Sequence, residues 1–341
     1  MSRTFVITGL GAVHPSPSCA GSPWERIPDA ALVKPPAQLR HMDRLGRITL
    51  TATTLAWEDA GLRASPDDAL QTGIAFGSGY GCLPTNEEYL ESILERGGRY
   101  GNPVVFQNTV TNAATGAISM VHGLRGPTAT LCSGWAAGLE ALRFGCQQIE
   151  DGQAERMVVC SADSLQPGLL ARLGLPTGPR VSEAACALVV ESPTSARGRG
   201  AHRYAEVAGS GHRGGSLTEQ ARTLARAVKD ALHAAGIATE HVGTVFTCEN
   251  TRKEFDGWEH RGLHEALGAH AGRVELVGIK ETLGESFSAA GTLAVMQAAR
   301  ALDMGRLADT GRPLSSDWVL VTALGGEGSA LAVVLRRCAH A

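Results

Sequence analysis

Short, nearly continuous apolar runs alternate with longer amphipathic stretches along the whole chain. Residues 5–13 (FVITGLGAV) predict a buried strand ending in a glycine turn, and residues 48–60 (ITLTATTLAWEDA) predict a helix stopped by Gly61. Strands are expected at 72–77 (TGIAFG), 128–132, 156–162 (RMVVCSA) and 187–191 (ALVVE), with a helix at 136–149. Strands apolar on both faces between helices predict a sheet covered on both sides.

The same order then recurs. Residues 204–211 (YAEVAGSG) read as a strand, 222–235 as a helix stopped by Gly236, and 242–247 (VGTVFT) and 274–280 (VELVGIK) as strands. A helix at 289–304 follows, then strands at 318–323 (WVLVTA) and 330–335 (ALAVVL). The first helix of each copy ends in Ala-Gly-Leu or Ala-Gly-Ile, with glycine as the left-handed cap. Two copies of one α/β unit are therefore expected, an N-terminal half at 1–195 and a C-terminal half at 196–341, joined near 194–200 (TSARGRG).

At 341 residues and 43% hydrophobic, the chain is long enough for one large or two closely joined α/β domains. With 19% charged residues and a formal net charge of −3, it lacks the basic field of a nucleic-acid binder. The longest apolar stretches fall far short of the roughly 20 residues that cross a bilayer. The opening Met-Ser-Arg-Thr runs straight into a strand, so no secretion signal is expected and a cytoplasmic location is.

Cys19, Cys82, Cys132, Cys146, Cys160, Cys186, Cys248 and Cys338 are scattered without a Cys-x-x-Cys pair, which predicts reduced, mostly buried thiols and no structural zinc. His260 and His264 sit four apart beside Glu259 and Glu265, but without a strong third ligand the plainer expectation is a solvated helix face and no metal. The glycines at 77, 79 and 81 lack the following Lys-Ser/Thr of a phosphate loop, no Gly-x-Ser-x-Gly elbow is present, and no cofactor is expected.

Several motifs together resemble the β-ketoacyl synthases, including the polyketide type and their chain length factor partners. The resemblance rests on FVITGLGAV, on Met42-Asp43-Arg44 with the helix ending EDAGL, and on Gly77 to Gly81 with Asn86-Glu87-Glu88. It continues through Asn112-Ala113-Ala114-Thr115-Gly116 and Gly123-Leu124-Arg125-Gly126-Pro127. It implies a thiolase-like fold, two βαβαβ halves in a five-layer αβαβα sandwich. It also implies a catalytic cysteine on a tight turn before a buried helix, whose N-terminus favours the thiolate.

At the positions the resemblance assigns to chemistry, this chain departs from the family. Aligning Gly138-Leu139-Glu140-Ala141-Leu142 with the family helix puts Trp135 at the nucleophile position, and an indole cannot carry an acyl thioester. Cys132 lies three residues earlier and takes that role only if the turn is re-registered; a buried strand-end cysteine is the plainer expectation. Cys248 stands at the first histidine site, and Glu285 at the second, after the retained Lys280. A thiol donates hydrogen bonds weakly and an ionised carboxylate not at all, so the family's decarboxylation and condensation steps lose their donors. The glycine loop Gly325-Gly326-Glu327-Gly328-Ser329 keeps its glycines but lacks the usual Phe and Asn. The crossing from Ser164 to Arg180 is also shorter than the pocket-shaping insertion of active synthases.

The resemblance therefore implies a non-catalytic subunit, like a chain length factor, in a heterodimer with an active ketosynthase that receives chains from an acyl carrier protein. On that reading Phe106, Thr109, Val110 and Asn112 line or gate a joint tunnel or pack at the interface. A repurposed acyl-transferring or condensing enzyme using Cys248 or Cys132 with Glu285 as base is the alternative. A homodimeric carrier-binding scaffold is a third.

Overall fold

The computed structural model describes residues 4–15, 24–66, 68–164, 167–172, 180–249 and 252–339. Cys19, Asn250, Thr251 and part of the 164–180 crossing lie outside them. The first half contributes strands β1 (Phe5–Val13), β2 (Thr72–Gly77), β3 (Thr128–Leu131), β4 (Arg156–Asp163) and β5 (Ala184–Glu191). The second contributes β6 (Ala205–Gly214), β7 (Val242–Thr247), β8 (Glu275–Gly278), β9 (Trp318–Leu324) and β10 (Ser329–Arg336). Hydrogen bonds link them in the order β8-β7-β9-β10-β6-β1-β5-β4-β2-β3.

Counted within each half, both orders read third, second, fourth, fifth, first, with the second, third and fourth strands parallel and the first and fifth antiparallel to their neighbours. The halves meet where Phe5 to Ile7 pair antiparallel with Ala205 to Val207. This pairing joins two five-stranded units into one ten-stranded ladder.

Helices complete five layers. They are α1 (Arg44–Asp59), α2 (Leu83–Arg96), α3 (Pro103–Phe106), α4 (Ala113–His122), α5 (Ala137–Glu150), α6 (Gln220–Ala235), α7 (Lys253–Leu267) and α8 (Ser288–Met304), beside the six-residue helices Pro167–Arg172 and Pro193–Gly198 and shorter turns. α1 and α4 cover the outer face of the first half through Ile48, Ala52, Ala56, Trp57 and Ile118. α6 and α7 cover the outer face of the second through Leu224, Val228, Phe255 and Leu263. Between the sheets lie α5 and α8, with Leu139, Leu142, Leu293 and Met296 in a core shared by strands of both halves. A helix in that middle layer is apolar nearly all round, as α8 is, because both its sides meet sheet.

The duplication extends to how helix and strand touch. A Cβ on Gly11 of β1 would stand 2.2 Å from the carbonyl oxygen of Ala52 in α1, and one on Gly211 of β6 would stand 2.0 Å from that of Ala227 in α6. In each half the Gly-x-Gly pair therefore lets a helix backbone lie directly on the first strand.

Element ends differ from the sequence reading for local reasons. α1 starts at Arg44, four residues earlier than expected, because the Asp43 carboxylate caps it, accepting from the Gly46 N–H at 2.8 Å. β5 begins at Ala184 and pairs with both β1 and β4. β8 stops at Gly278, and Lys280 opens a one-turn helix, Lys280–Leu283. β3 stops at Leu131, so the expectation of a buried strand-end Cys132 is corrected: Cys132 is exposed, since β3 is an outermost strand with no neighbour beyond it among the described residues. Cys82, Cys146, Cys160, Cys186, Cys248 and Cys338 are buried, and all seven described cysteines are free thiols.

His122, the last residue of α4, is buried with its ring 5.2 Å from that of Trp57, and burial pushes its pKa down to about 4. The unfolded chain takes up this proton below its ordinary value near 6.5 and the native state does not, so stability is complete above that pH and is lost as pH falls towards 4. Urea unfolding is expected to show a contribution of about 2 kcal/mol lost from this group between about pH 7 and pH 5. His122→Gln should remove that part of the pH slope, and an unchanged slope would assign it elsewhere.

Candidate functional site

β3 leads through Cys132 and Ser133 to Gly134, whose φ of +74° turns the chain sharply. A single 3-10 turn, Gly134–Ala136, carries Trp135 at the entrance of α5. Its indole N–H donates to the Tyr80 hydroxyl at 2.8 Å. The ring packs against Phe287 at 5.6 Å and Phe255 at 5.9 Å, while Tyr80 meets Phe287 edge-on at 5.3 Å. Phe287 holds φ +52°, a conformation that costs a bulky residue about 1–3 kcal/mol. The glycine loop closes over this cluster: a Cβ on Gly326 would lie 3.7 Å from the indole, and one on Gly134 would run into the Glu327 carboxylate. At Gly325 a Cβ would meet that carboxylate too, and at Gly328 the carbonyl of Gly215, so loop and turn interlock.

Beneath the indole, Trp135, Thr247, Cys248, Lys280 and Phe287 wall a cavity of only about 10 Å³. That is at most room for a single water. Lys280 forms a buried ion pair with Glu285 at 2.7 Å. Burial works against the lysine's charge, but Glu285 together with Cys248 and Glu259 outweighs it and holds the ammonium above the usual lysine range. Glu285 also accepts the Phe287 N–H at 2.8 Å and is not among the walls of the cavity, so it sits behind the Lys280 and Phe287 walls.

The Cys248 N–H is held by both oxygens of Glu259, at 3.0 and 3.1 Å, and Thr322 donates its hydroxyl to the same carboxylate. Burial, reinforced by Glu259, pushes the Cys248 thiol well above its ordinary pKa. The Cys132 thiol is also raised, chiefly by partial removal from water. Neither sulfur has the depressed pKa of an activated nucleophile.

The structure thus brings Trp135, Cys248 and Lys280 into one small space with Glu285 just behind it, and Gly326 above. Phe106, Thr109, Val110 and Asn112 lie elsewhere, on and after α3, where Phe106 and Val110 are exposed. The His260 and His264 helix face is not wholly solvated: Glu259 turns inward to Cys248, and His260 pairs with Glu249. Among the described residues no group of three or more His, Cys, Asp or Glu is placed to hold a metal.

Sequence reasoning missed Asp163 and Glu259. Asp163 is buried at the end of β4 and accepts from the Ser78 hydroxyl at 2.8 Å and from the Gly79 and Tyr80 amides at 2.9 Å. It also accepts from the Ser288 amide at 3.0 Å and the Ser288 hydroxyl at 2.6 Å. Burial pushes its carboxyl above the usual range, and these donors pull it back. The knot ties the turn after β2 to the start of α8, which sets Tyr80 and Phe287 around Trp135. For Glu259 a signal existed: Phe255, Glu259 and Leu263 share a four-residue spacing on the buried face of α7.

Ten strands in two like-ordered halves, with a buried helix entered through a tight turn, define a thiolase-like condensing-enzyme fold. Residues 6–174 match the β-ketoacyl synthase N-terminal domain and residues 203–311 the β-ketoacyl synthase C-terminal domain. The chain belongs to the β-ketoacyl synthase family. It is 29% identical to a putative polyketide beta-ketoacyl synthase 2 of Streptomyces coelicolor, over 98% of this chain and 95% of that protein. It is 25% identical to a 3-oxoacyl-[acyl-carrier-protein] synthase 2 of Coxiella burnetii, over 85% and 84%. Among solved structures, a type II PKS acyl-carrier protein in complex with its ketosynthase bound to the hexaketide superposes with TM-score 0.85 at 20% identity, covering 99% of this chain and 100% of that one. The ishigamide ketosynthase/chain length factor does so with TM-score 0.82 at 21% identity and the same coverage. At these identities the structural likeness establishes the fold. No described helix is long and apolar enough to cross a membrane.

Proposed function

We propose that this chain is a non-catalytic, chain length factor-like subunit that pairs with an active ketosynthase and shapes the tunnel holding the growing chain. The observation that carries this reading is the indole of Trp135 at the entrance of α5, hydrogen-bonded to Tyr80 and leaving about 10 Å³ beside Cys248 and Lys280. An acyl group has neither a nucleophile to join nor a space to enter there. Lys280 is paired with Glu285 and the Cys248 amide with Glu259, and no imidazole stands at 248 or 285 to donate to a thioester carbonyl.

The exposed Phe106 and Val110, with the open edge of β3 nearby in the first half, suit a partner that completes the surface. The partner is an active ketosynthase, and the chains reach the pair on an acyl carrier protein. Division at 195/196 and a cytoplasmic site of action belong to the same reading.

Co-expression with the cognate ketosynthase subunit tests it. The two are expected to co-purify, with condensing activity only in the pair, and Val110→Trp should shorten the product. An unchanged product length removes the tunnel role, and failure to associate sinks the subunit role. The rival, an acyl-transferring enzyme working through Cys248 or Cys132 with Glu285 as base, predicts that the chain alone is labelled by a reactive thioester and that Cys248→Ala or Cys132→Ala abolishes the labelling. The raised thiol pKa values speak against it.

A further inference from the structure

Two thiols meet at one hydroxyl beside the turn that carries Trp135, a pair that the subunit reading leaves unused. Cys82 stands at the N-cap position of α2 without making a capping bond. Its sulfur lies 3.6 Å from the Thr111 hydroxyl and 3.6 Å from the Asn86 side-chain amide. The same Thr111 hydroxyl is hydrogen-bonded to the Cys132 thiol, which follows the last residue of β3.

The fold brings the two cysteines together from neighbouring strands. Gly77 at the end of β2 pairs with Leu131 at the end of β3, so the segments that follow emerge side by side. Cys132 comes directly after Leu131. Cys82 comes after a turn in which the Gly81 N–H donates to the Ser78 hydroxyl at 2.9 Å. Gly81 holds φ +58°, and a Cβ on it would stand 2.5 Å from the Thr111 hydroxyl, so the turn lies hard against that group. The two thiols differ in access. Cys82 is 5% exposed, whereas Cys132 is the one exposed thiol among the seven described. A reagent from solution therefore meets Cys132 first, and Cys82 is the thiol placed to answer it.

We infer that Cys82 and Cys132 are a redox couple that closes a reversible disulfide by exchange with a small-molecule disulfide such as oxidised glutathione. The Cys132 thiolate attacks one glutathione sulfur, forms a mixed disulfide and releases one glutathione thiolate. Cys82 then gives up its proton and attacks the Cys132 sulfur, the bond from Cys132 to glutathione breaks, and the second glutathione thiolate leaves. The two cysteines lose two protons and two electrons, and one oxidised glutathione becomes two reduced molecules. Tyr80 lies two residues before Cys82 and Trp135 three after Cys132, so the new bond locks together the two turns that the indole hydrogen bond already joins. All these groups belong to this chain, and the inference stands apart from its pairing with a ketosynthase.

The test equilibrates the full-length chain with oxidised glutathione, followed by alkylation, digestion and mass spectrometry, with thiols counted after denaturation. Burial raises the Cys132 thiol, which slows exchange near neutrality, so the reaction is run at about pH 8.5. A peptide linking Cys82 to Cys132 is expected, with a fall from eight thiols to six, and both should reverse in excess reduced glutathione. The oxidised chain should unfold at a higher urea concentration than the reduced one, because the link restricts the unfolded chain. Cys82→Ser is expected to trap the glutathione adduct on Cys132, and Cys132→Ser should leave Cys82 unmodified. The wild-type cross-link decides the matter by itself if Cys82→Ser does not fold. A wild-type chain that stops at the adduct, keeps eight thiols or links Cys132 to any other cysteine, Cys19 included, would overturn the couple. Glutathione found on Cys82 in folded Cys132→Ser would overturn the order of attack.

Discussion

Asp163→Leu is expected to destabilise the chain by about 4 kcal/mol or more, and to leave it largely insoluble. Its carboxylate gathers five donors from two places: the Ser78 hydroxyl with the Gly79 and Tyr80 amides, and the amide and hydroxyl of Ser288. Ser78 and Ser288 lie in the interior while Gly79 and Tyr80 are half-buried, and each donor left without an acceptor away from water costs about 1–3 kcal/mol, with partial relief from local rearrangement. Leucine has similar bulk, so the loss would be one of hydrogen bonding and not of packing. Asp163→Asn should cost less, because one amide oxygen still accepts, but its NH2 then faces donors. Urea unfolding of the three proteins checks the ranking. A change below about 1 kcal/mol for Asp163→Leu would mean that water or a shifted turn satisfies the knot.

The readout that separates positioning from plain stability is the indole. Asp163 holds Tyr80, and Tyr80 accepts from Trp135, so Asp163→Asn should change the environment of Trp135 even where the fold survives. Trp135→Phe in the same background isolates that emission from the other four tryptophans.

The second large effect belongs to the ion pair under the indole. Lys280→Met is expected to cost about 3–5 kcal/mol, because it takes away the ammonium that the buried Glu285 carboxylate is paired with at 2.7 Å. Both side chains are almost wholly buried, at 7% and 3% exposure, so solvent screening does little to soften this. Glu285→Leu should cost a similar amount from the other side. The double variant Lys280→Met/Glu285→Leu should recover most of the loss, since two apolar side chains replace two paired charges. Additive losses in the double-mutant cycle would show that the two groups are not coupled. The pair thus serves as an internal prop for the Phe287 turn, whose amide Glu285 also binds.

Much of the architecture was legible along the chain. Period and punctuation predicted every strand of the ten, the two glycine-stopped helices and the repeat. These depend on local chemistry: apolar runs that need burial on both faces, and glycines that alone accept a left-handed cap. Trp135, Cys248 and Glu285 could be singled out one by one, because each stands at a fixed offset from a motif. What chain order could not supply was their relation. Lys280 and Glu285 are five apart and read as neighbours, yet only the fold shows that the lysine stands between the carboxylate and the cavity.

The other misses share one cause. Cys132 was expected inside because free cysteines at strand ends usually are, but β3 ends an edge, and edge position is a property of the assembled sheet. Glu259 looked like part of a polar helix face until α7 packed with it inward against Cys248. Asp163 draws its donors from residues 83 to 125 positions away along the chain. Local sequence therefore determined which elements form and where they stop. Tertiary packing decided which charges face each other and how little room lies under the indole, because both depend on segments that meet only when the two halves close around α5 and α8.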